Sequence, residues 1–452
     1  MELNSRCAFS NQSPNYRESA LVSKVQIKPN ASRIASVDAI RGIAVLGIFI
    51  VNVMGYGIGD VIFYNPILSA GDGPLNTGLW TFQAIFVEGS MRGLFTLLFG
   101  ASIVLFTSRA AFPDGRIEIA DLYYRRTLWL ILFGLIHSYL LLGAGDILLI
   151  YGIASLLLFP FRILRPKTLF VLAGVLLVLI ISLNLDEELS EKAISDQATV
   201  IEQRASQGEL IDEADQLILD EWNKRLKNNW PSQEELEKGI SQRTGSVDVL
   251  YSSNAEYVQD NNDFFGIFWW VLDGAMMMFM GMALFKTGVL TGKASRSFYL
   301  RLTVIGYAIG LGFRIWSINA RWEAEFSPIL WAWASFDQFA RVALTIGHIG
   351  LFYLIWSHFS QSWLMRALAA TGRMALSNYI GQTIIANLIF SGIGLGLYAS
   401  FDLSAVFLIL IGIWIAQLLF SLWWLSRFRY GPLEWVWRGL TYGKLPSQSR
   451  SG

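Results

Sequence analysis

Sulfur and charge are what this sequence has least of. Its one cysteine, Cys7, lies in a polar N-terminal stretch, so no internal disulfide can form and nothing supports a thiolate metal site. Only 15% of the 452 residues are Asp, Glu, Lys or Arg, against roughly 25% in soluble domains. That shortage excludes an ordinary soluble fold. The formal net charge is zero, so the balance offers nothing to nucleic acid. The HExxH, CxxC, GxSxG and P-loop signatures are missing, which removes support for zinc hydrolases, serine hydrolases and ATPases. Residues 1–32 hold Asn, Ser, Gln, Pro and scattered charges without an apolar core, and read as a flexible cytoplasmic tail, not a cleaved signal peptide. What abounds is apolar, at 54% hydrophobic and 14% aromatic residues. The composition is that of an all-α, multi-pass membrane bundle.

About 20 apolar residues suffice to cross a bilayer as a helix. Ten such spans are expected, near 40–57, 79–107, 124–142, 146–162, 167–185, 264–286, 298–318, 336–357, 372–393 and 403–425. The first, within SVDAIRGIAVLGIFIVNVMGYG, organises the rest: Asp38 and Arg41 stand at its entrance and Asn52 lies inside it. Basic residues cluster before span one (Lys24, Lys28, Arg33), between spans two and three (Arg109, Arg116, Arg125, Arg126), and after span ten (Arg427, Arg429, Arg438, Lys444). The loop at 58–78 has none. By the positive-inside rule both termini are expected in the cytoplasm.

The expected organisation is a tail at 1–32, a first membrane half at 33–185, an insertion at 186–262, a second half at 263–430 and a C-terminal tail at 431–452. The insertion is acidic, with Ile211, Leu217, Ile218, Trp222 and Leu226 at helical spacing. It reads as amphipathic helices on the extracytoplasmic side, capping the bundle; a mobile solvated linker is the bland alternative. No short-period repeat is visible.

Ionisable groups inside spans are costly, so each is a candidate by default. Glu88 and Arg92 are four apart and expected to pair on one helix face, for catalysis or only for packing. His137 and Asp146 flank the short connection between spans three and four, and a carboxylate beside an imidazole orients it and raises its basicity. Asp273, Arg314, Asp337 and Arg341 fall in the same half of the membrane and are expected to partner one another. His348, deeper, reads as a structural hydrogen bond. Asn378 and Gln382 in span nine are either substrate contacts or polar glue between helices. The Met276–Met278 run with Met280 and Met282 reads as packing. No metal site is expected.

The D-x-x-R-G at Asp38–Gly42 followed by an apolar span resembles the first helix of the broad transmembrane acyltransferase superfamily. With EGSMRGLFTLLFGAS, GLIHSYLLLGAGDILLIYGI and TGRMALSNYIGQTII, the chain from about Ile34 to Leu445 resembles the YeiB-like bacterial membrane proteins, whose C-terminal half is a domain of unknown function. Where acyltransferase family three has a catalytic histidine this chain has Asn52, as does the heparan-α-glucosaminide N-acetyltransferase type. That type's further histidine after span one has no counterpart at 57–79, which leaves His137 as the substitute base.

The resemblance implies fold and superfamily more than activity; taken together with the outer cluster of ionisable groups, it leads to a first expectation of transfer of an acyl group from cytoplasmic acyl-CoA, bound near Asp38 and Arg41, to an extracytoplasmic sugar or lipid acceptor. His137 with Asp146 would be the base, Arg92 (held by Glu88) or Asn52 the oxyanion donor, and Asp273, Arg314, Asp337, Arg341, Asn378 and Gln382 substrate contacts. No tightly bound cofactor is implied; acyl-CoA is the co-substrate. Membrane lipids are the expected partners, nucleic acid is not, and the oligomeric state is open. A lipid or small-molecule transporter or flippase, or a lipid-binding scaffold working through the insertion, are the other classes in play.

Overall fold

The computed structural model describes residues 34–59, 65–68, 71, 73–108, 116–143, 145–327 and 336–449. The expected 1–32 tail, with Lys24 and Lys28, lies outside them, and so do Arg33 and Arg109. Helix α1, Ala35–Gly57, runs through the middle of the bundle, and Ile40, Ala44, Val45, Phe49 and Val53 are fully buried along it. The end where α1 starts is called near, and the end where it finishes far. The chain returns through α2 (Pro74–Phe82) and α3 (Ser90–Ser108), then α4 (Arg116–Tyr139) and α5 (Ile147–Leu158). The long α6 (Pro166–Ser206) leads into α7 (Glu213–Asn229), α8 (Gln233–Thr244) and α9 (Val247–Asn261). The second half holds α10 (Phe264–Lys286), α11 (Arg296–Glu323), α12 (Asp337–Phe359), α13 (Trp363–Arg373), α14 (Ala375–Phe390), α15 (Leu403–Arg427) and α16 (Pro432–Tyr442).

Among the described residues, seven helical segments are long and apolar enough to cross a membrane. The other three expected spans also fold as helices but fall short of that measure. α4 carries several charges, α5 has 12 residues before a 3-10 turn, and α14 has 16. This is a multi-pass helical membrane protein.

Three boundaries differ from expectation. Span two is not one helix: a π turn at Gln83–Val87 and an extended Glu88 followed by Gly89 at φ 67° separate α2 from α3. Span nine is not one helix either, because α13 ends at Arg373 and α14 starts at Ala375. The α13 backbone lies directly on α1: a Cβ on Gly372 would sit 1.9 Å from the Asp38 carbonyl oxygen, and one on Gly42 2.1 Å from that of Leu368. Small residues permit such backbone contact. Finally, no break separates span five from the insertion. α6 is a single helix of 41 residues, about 60 Å long at 1.5 Å per residue. Its stretch from Leu185 to Ser206 has neither glycine nor proline to stop it.

The insertion is helical and folds back on the bundle. Tyr251 Oη donates to the Leu140 carbonyl at 2.9 Å, Asn254 Nδ2 to that of Ser138 at 3.0 Å, and the Gly392 N–H to that of Arg243 at 2.9 Å. It caps the far end. Met276, Met277, Met278 and Met282 are fully buried, so the methionine run is core packing.

Candidate functional site

Two cavities enter the bundle from opposite ends. The far one, about 400 Å³, is bounded by α1, α3, α5, α10, α12 and the insertion, and Asn52, Glu88, Arg92, Asp146, Arg314 and Arg341 line it. The near one, about 280 Å³, holds Asp38, Arg41, Arg126 and Glu434. Arg41 donates to Asp38 at 3.1 Å and to Ser102 Oγ at 3.2 Å.

Between the cavities lies a buried polar chain. Asp146 is the N-cap of α5: one oxygen accepts the Leu149 N–H at 2.7 Å, and the other meets His137 Nδ1 at 2.8 Å. A carboxylate at Nδ1 fixes the imidazole's orientation. The opposite ring nitrogen, Nε2, meets Thr383 Oγ1 at 2.8 Å, to which Tyr56 Oη donates at 3.2 Å. On the other side Tyr379 Oη reaches Asp146 at 3.5 Å, and its ring packs 4.9 Å from the imidazole. Tyr56 and Asp146 line the far cavity, whereas Tyr379 lines the near one. His137 touches neither. The imidazole expected to face an acceptor directly is instead separated from both cavities by Tyr56, Asp146 and Tyr379. Sequence reasoning passed over Tyr56, Tyr379 and Thr383; the last two sit in the GRMALSNYIGQTIIAN segment read mainly as helix glue.

The charges of the far cavity form a different network from the one expected. Glu88 and Arg92 do not pair. Glu88 belongs to the break before α3, where Gly89 turns the backbone, so spacing of four residues no longer means one helix face. Arg92 instead donates to Asp273 at 2.8 Å, with its guanidinium over Trp270 at 4.5 Å from the ring centre. Asp273, 1% exposed, also accepts from Arg341. Arg314 meets Asp337 at 2.8 Å and Glu88 at 3.9 Å, and donates to the Ala84 carbonyl at 2.8 Å. The expected pairing among the four is present as Arg341 with Asp273 and Arg314 with Asp337, and Arg92 of α3 joins it at Asp273. Gly89 is required there, since a Cβ on it would lie 2.5 Å from Arg341 Cδ.

Asn378 and Gln382 do not line either cavity. Asn378 Nδ2 donates to the Thr371 carbonyl and to Ser421 Oγ, both at 3.1 Å, and Gln382 Nε2 donates to Gln417 Oε1 at 3.0 Å. They tie α14 to α13 and α15, so the substrate-contact reading gives way to helix glue. His348 bonds Tyr307 Oη at 2.8 Å and the Phe86 carbonyl at 3.0 Å, a structural role. No cluster of metal-ligating side chains occurs among the described residues.

A helical membrane bundle with a cavity at each end and a buried histidine–carboxylate pair between them is the class that fold and site define. The chain belongs to the YeiB family. It is 30% identical to the uncharacterized protein YeiB of Escherichia coli (strain K12), over 90% of this chain and 96% of that one. It is 29% identical to the uncharacterized protein YxaH of Bacillus subtilis (strain 168), over 93% of this chain and 97% of that one. Residues 284–444 match the family described as "Protein of unknown function (DUF418)". No solved structure matches the chain.

Proposed function

We propose that the protein is a membrane acyltransferase that moves an acyl group from acyl-CoA at the near cavity to a hydroxyl or amine of a sugar or lipid headgroup in the far one. The near end is then cytoplasmic, both termini with it, and the insertion at 186–262 is on the outer side of a bacterial inner membrane. One observation carries this reading: cavities from opposite ends converge on the Tyr56–Thr383–His137–Asp146–Tyr379 chain.

In the reaction, the acceptor's oxygen or nitrogen lone pair attacks the thioester carbonyl carbon. The acceptor proton passes through Tyr56 and Thr383 to His137 Nε2, while Asp146 on Nδ1 stabilises the imidazolium. Arg92, held by Asp273, or Asn52 donates to the oxyanion of the tetrahedral intermediate. The C–S bond then breaks, and the departing thiolate takes the proton to become free CoA.

The test uses full-length protein in lipid nanodiscs, labelled acyl-CoA and a panel of sugar and headgroup acceptors. His137→Ala is expected to cut transfer by about 100-fold or more, in the range of general acid–base catalysis. Retained transfer in that variant overturns the mechanism. The same hydrogen-bonded chain would also serve proton-coupled transport; proton-driven uptake into proteoliposomes without transfer would move the assignment there.

A further inference from the structure

The near cavity is electrostatically unbalanced. Among the described residues four arginines line it, Arg41, Arg126, Arg373 and Arg438, with Asp38 and Glu434 opposite them. Both carboxylates are engaged: Asp38 by Arg41, and Glu434 by the N–H groups of Leu376 and Ser377 and by Ser377 Oγ. Arg126 and Arg438 have no carboxylate partner among the described residues. Aromatic rings hold them instead. The Arg126 guanidinium lies 4.2 Å from the centre of the Trp437 ring and 5.3 Å from that of Phe106, and Arg438 lies 4.7 Å from Tyr430. Trp437 is itself fixed, its Nε1 donating to the Arg126 carbonyl at 2.9 Å. Ring contacts orient a guanidinium plane but do not satisfy its N–H donors, of which each arginine has five. The same cavity also presents apolar side chains, among them Phe95, Phe99, Leu130 and Leu148.

We propose that this cavity binds a phosphate-bearing amphiphile: Arg126 and Arg438 take the phosphate, and the hydrocarbon chain lies against Phe95, Phe99 and Leu130. Two arginines with no carboxylate partner among the described residues, in a half-buried pocket, match a dianionic or bridging phosphate, and planar guanidiniums suit its oxygens. A volume of about 280 Å³ holds a phosphate and a short run of methylenes but not a nucleotide, so the rest of a larger ligand lies outside. The ligand is either acyl-CoA or a membrane phospholipid. The inference deepens the acyl-transfer reading by naming how the donor is held, and its test does not depend on turnover.

Binding of labelled palmitoyl-CoA to full-length protein in phosphatidylcholine nanodiscs is the measurement. Arg438→Gln is expected to weaken it about tenfold, the loss of one charge-assisted contact. Arg126→Gln should do the same, and Arg438→Lys should recover part of the affinity. Affinity should also fall as salt is raised, an outcome that needs no variant to fold. Displacement by CoA alone assigns the nucleotide source; displacement by phosphatidylglycerol in the disc assigns the lipid. Binding unchanged in both glutamine variants and insensitive to salt overturns the proposal. His137→Ala should bind normally, so lost transfer with intact binding separates failure of the chemistry from failure of the site.

Discussion

Asp273 holds two of the arginines that line the far cavity. It is 1% exposed and neutralises two arginines from different helices, Arg92 and Arg341. Asp273→Asn would leave two guanidiniums facing a neutral amide, a loss of about 3–5 kcal/mol for breaking a buried pair. A clear fall in the thermal midpoint in detergent is expected; Asp337→Asn, whose carboxylate is 27% exposed, should cost far less. Equal midpoints would show that Asp273 is not central. Gly89→Ala should be costly for a separate reason, combining a left-handed φ of 67° with a clash against Arg341. Strained backbone of this kind costs on the order of 1–3 kcal/mol, and the same thermal assay would register it. At this scale the sequence was informative about which residues are buried and charged, because charge in an apolar span always stands out. It misassigned Arg92's partner because the four-residue rule presumes a continuous helix, and Gly89 interrupts this one.

At the scale of elements, α14 depends on a group from far along the chain. Its first turn has free N–H donors, and Glu434 of α16 accepts from Leu376 N at 2.8 Å and Ser377 N at 3.1 Å. A carboxylate is well suited to the positive end of a helix. Burial nonetheless pushes the Glu434 carboxyl above the usual range, although these donors pull it down. With its pKa raised in the docked state, docking of α16 is favoured most fully below the ordinary glutamate range. That advantage fades as pH rises through the raised value. Fluorescence of Trp435 and Trp437, followed upward from about pH 4, should report this loosening, and Glu434→Gln should flatten it. A pH profile identical in that variant would remove Glu434 as its cause. The continuous α6 could have been read from the lack of glycine and proline after Leu185. The break at Met374 could not, since what ends α13 and starts α14 is contact with α1 and α16, and neither is local in sequence.

For the whole molecule, hydropathy was enough to place every apolar segment of membrane length, because the bilayer demands apolar segments of a set length. It could not locate the cavities, which exist only where packed helices fail to meet. Tyr379 and Thr383 look like ordinary span residues until α14 is set beside the turn carrying His137. The direction of the bundle across the membrane decides what the near cavity can meet. Cys7 is the one cysteine, so a Cys7→Ser background makes single-cysteine labelling clean. Leu210→Cys, at a position 95% exposed in the insertion, should react with a membrane-impermeant maleimide in intact cells. Gln361→Cys, exposed in the near-end turn between α12 and α13, should react only after permeabilisation. The reverse pattern would place Arg126 and Arg438 on the outer side, where acyl-CoA does not reach. The near cavity would then have only a membrane phospholipid to hold, and the acyl-CoA reading would fall while the phosphate site remained.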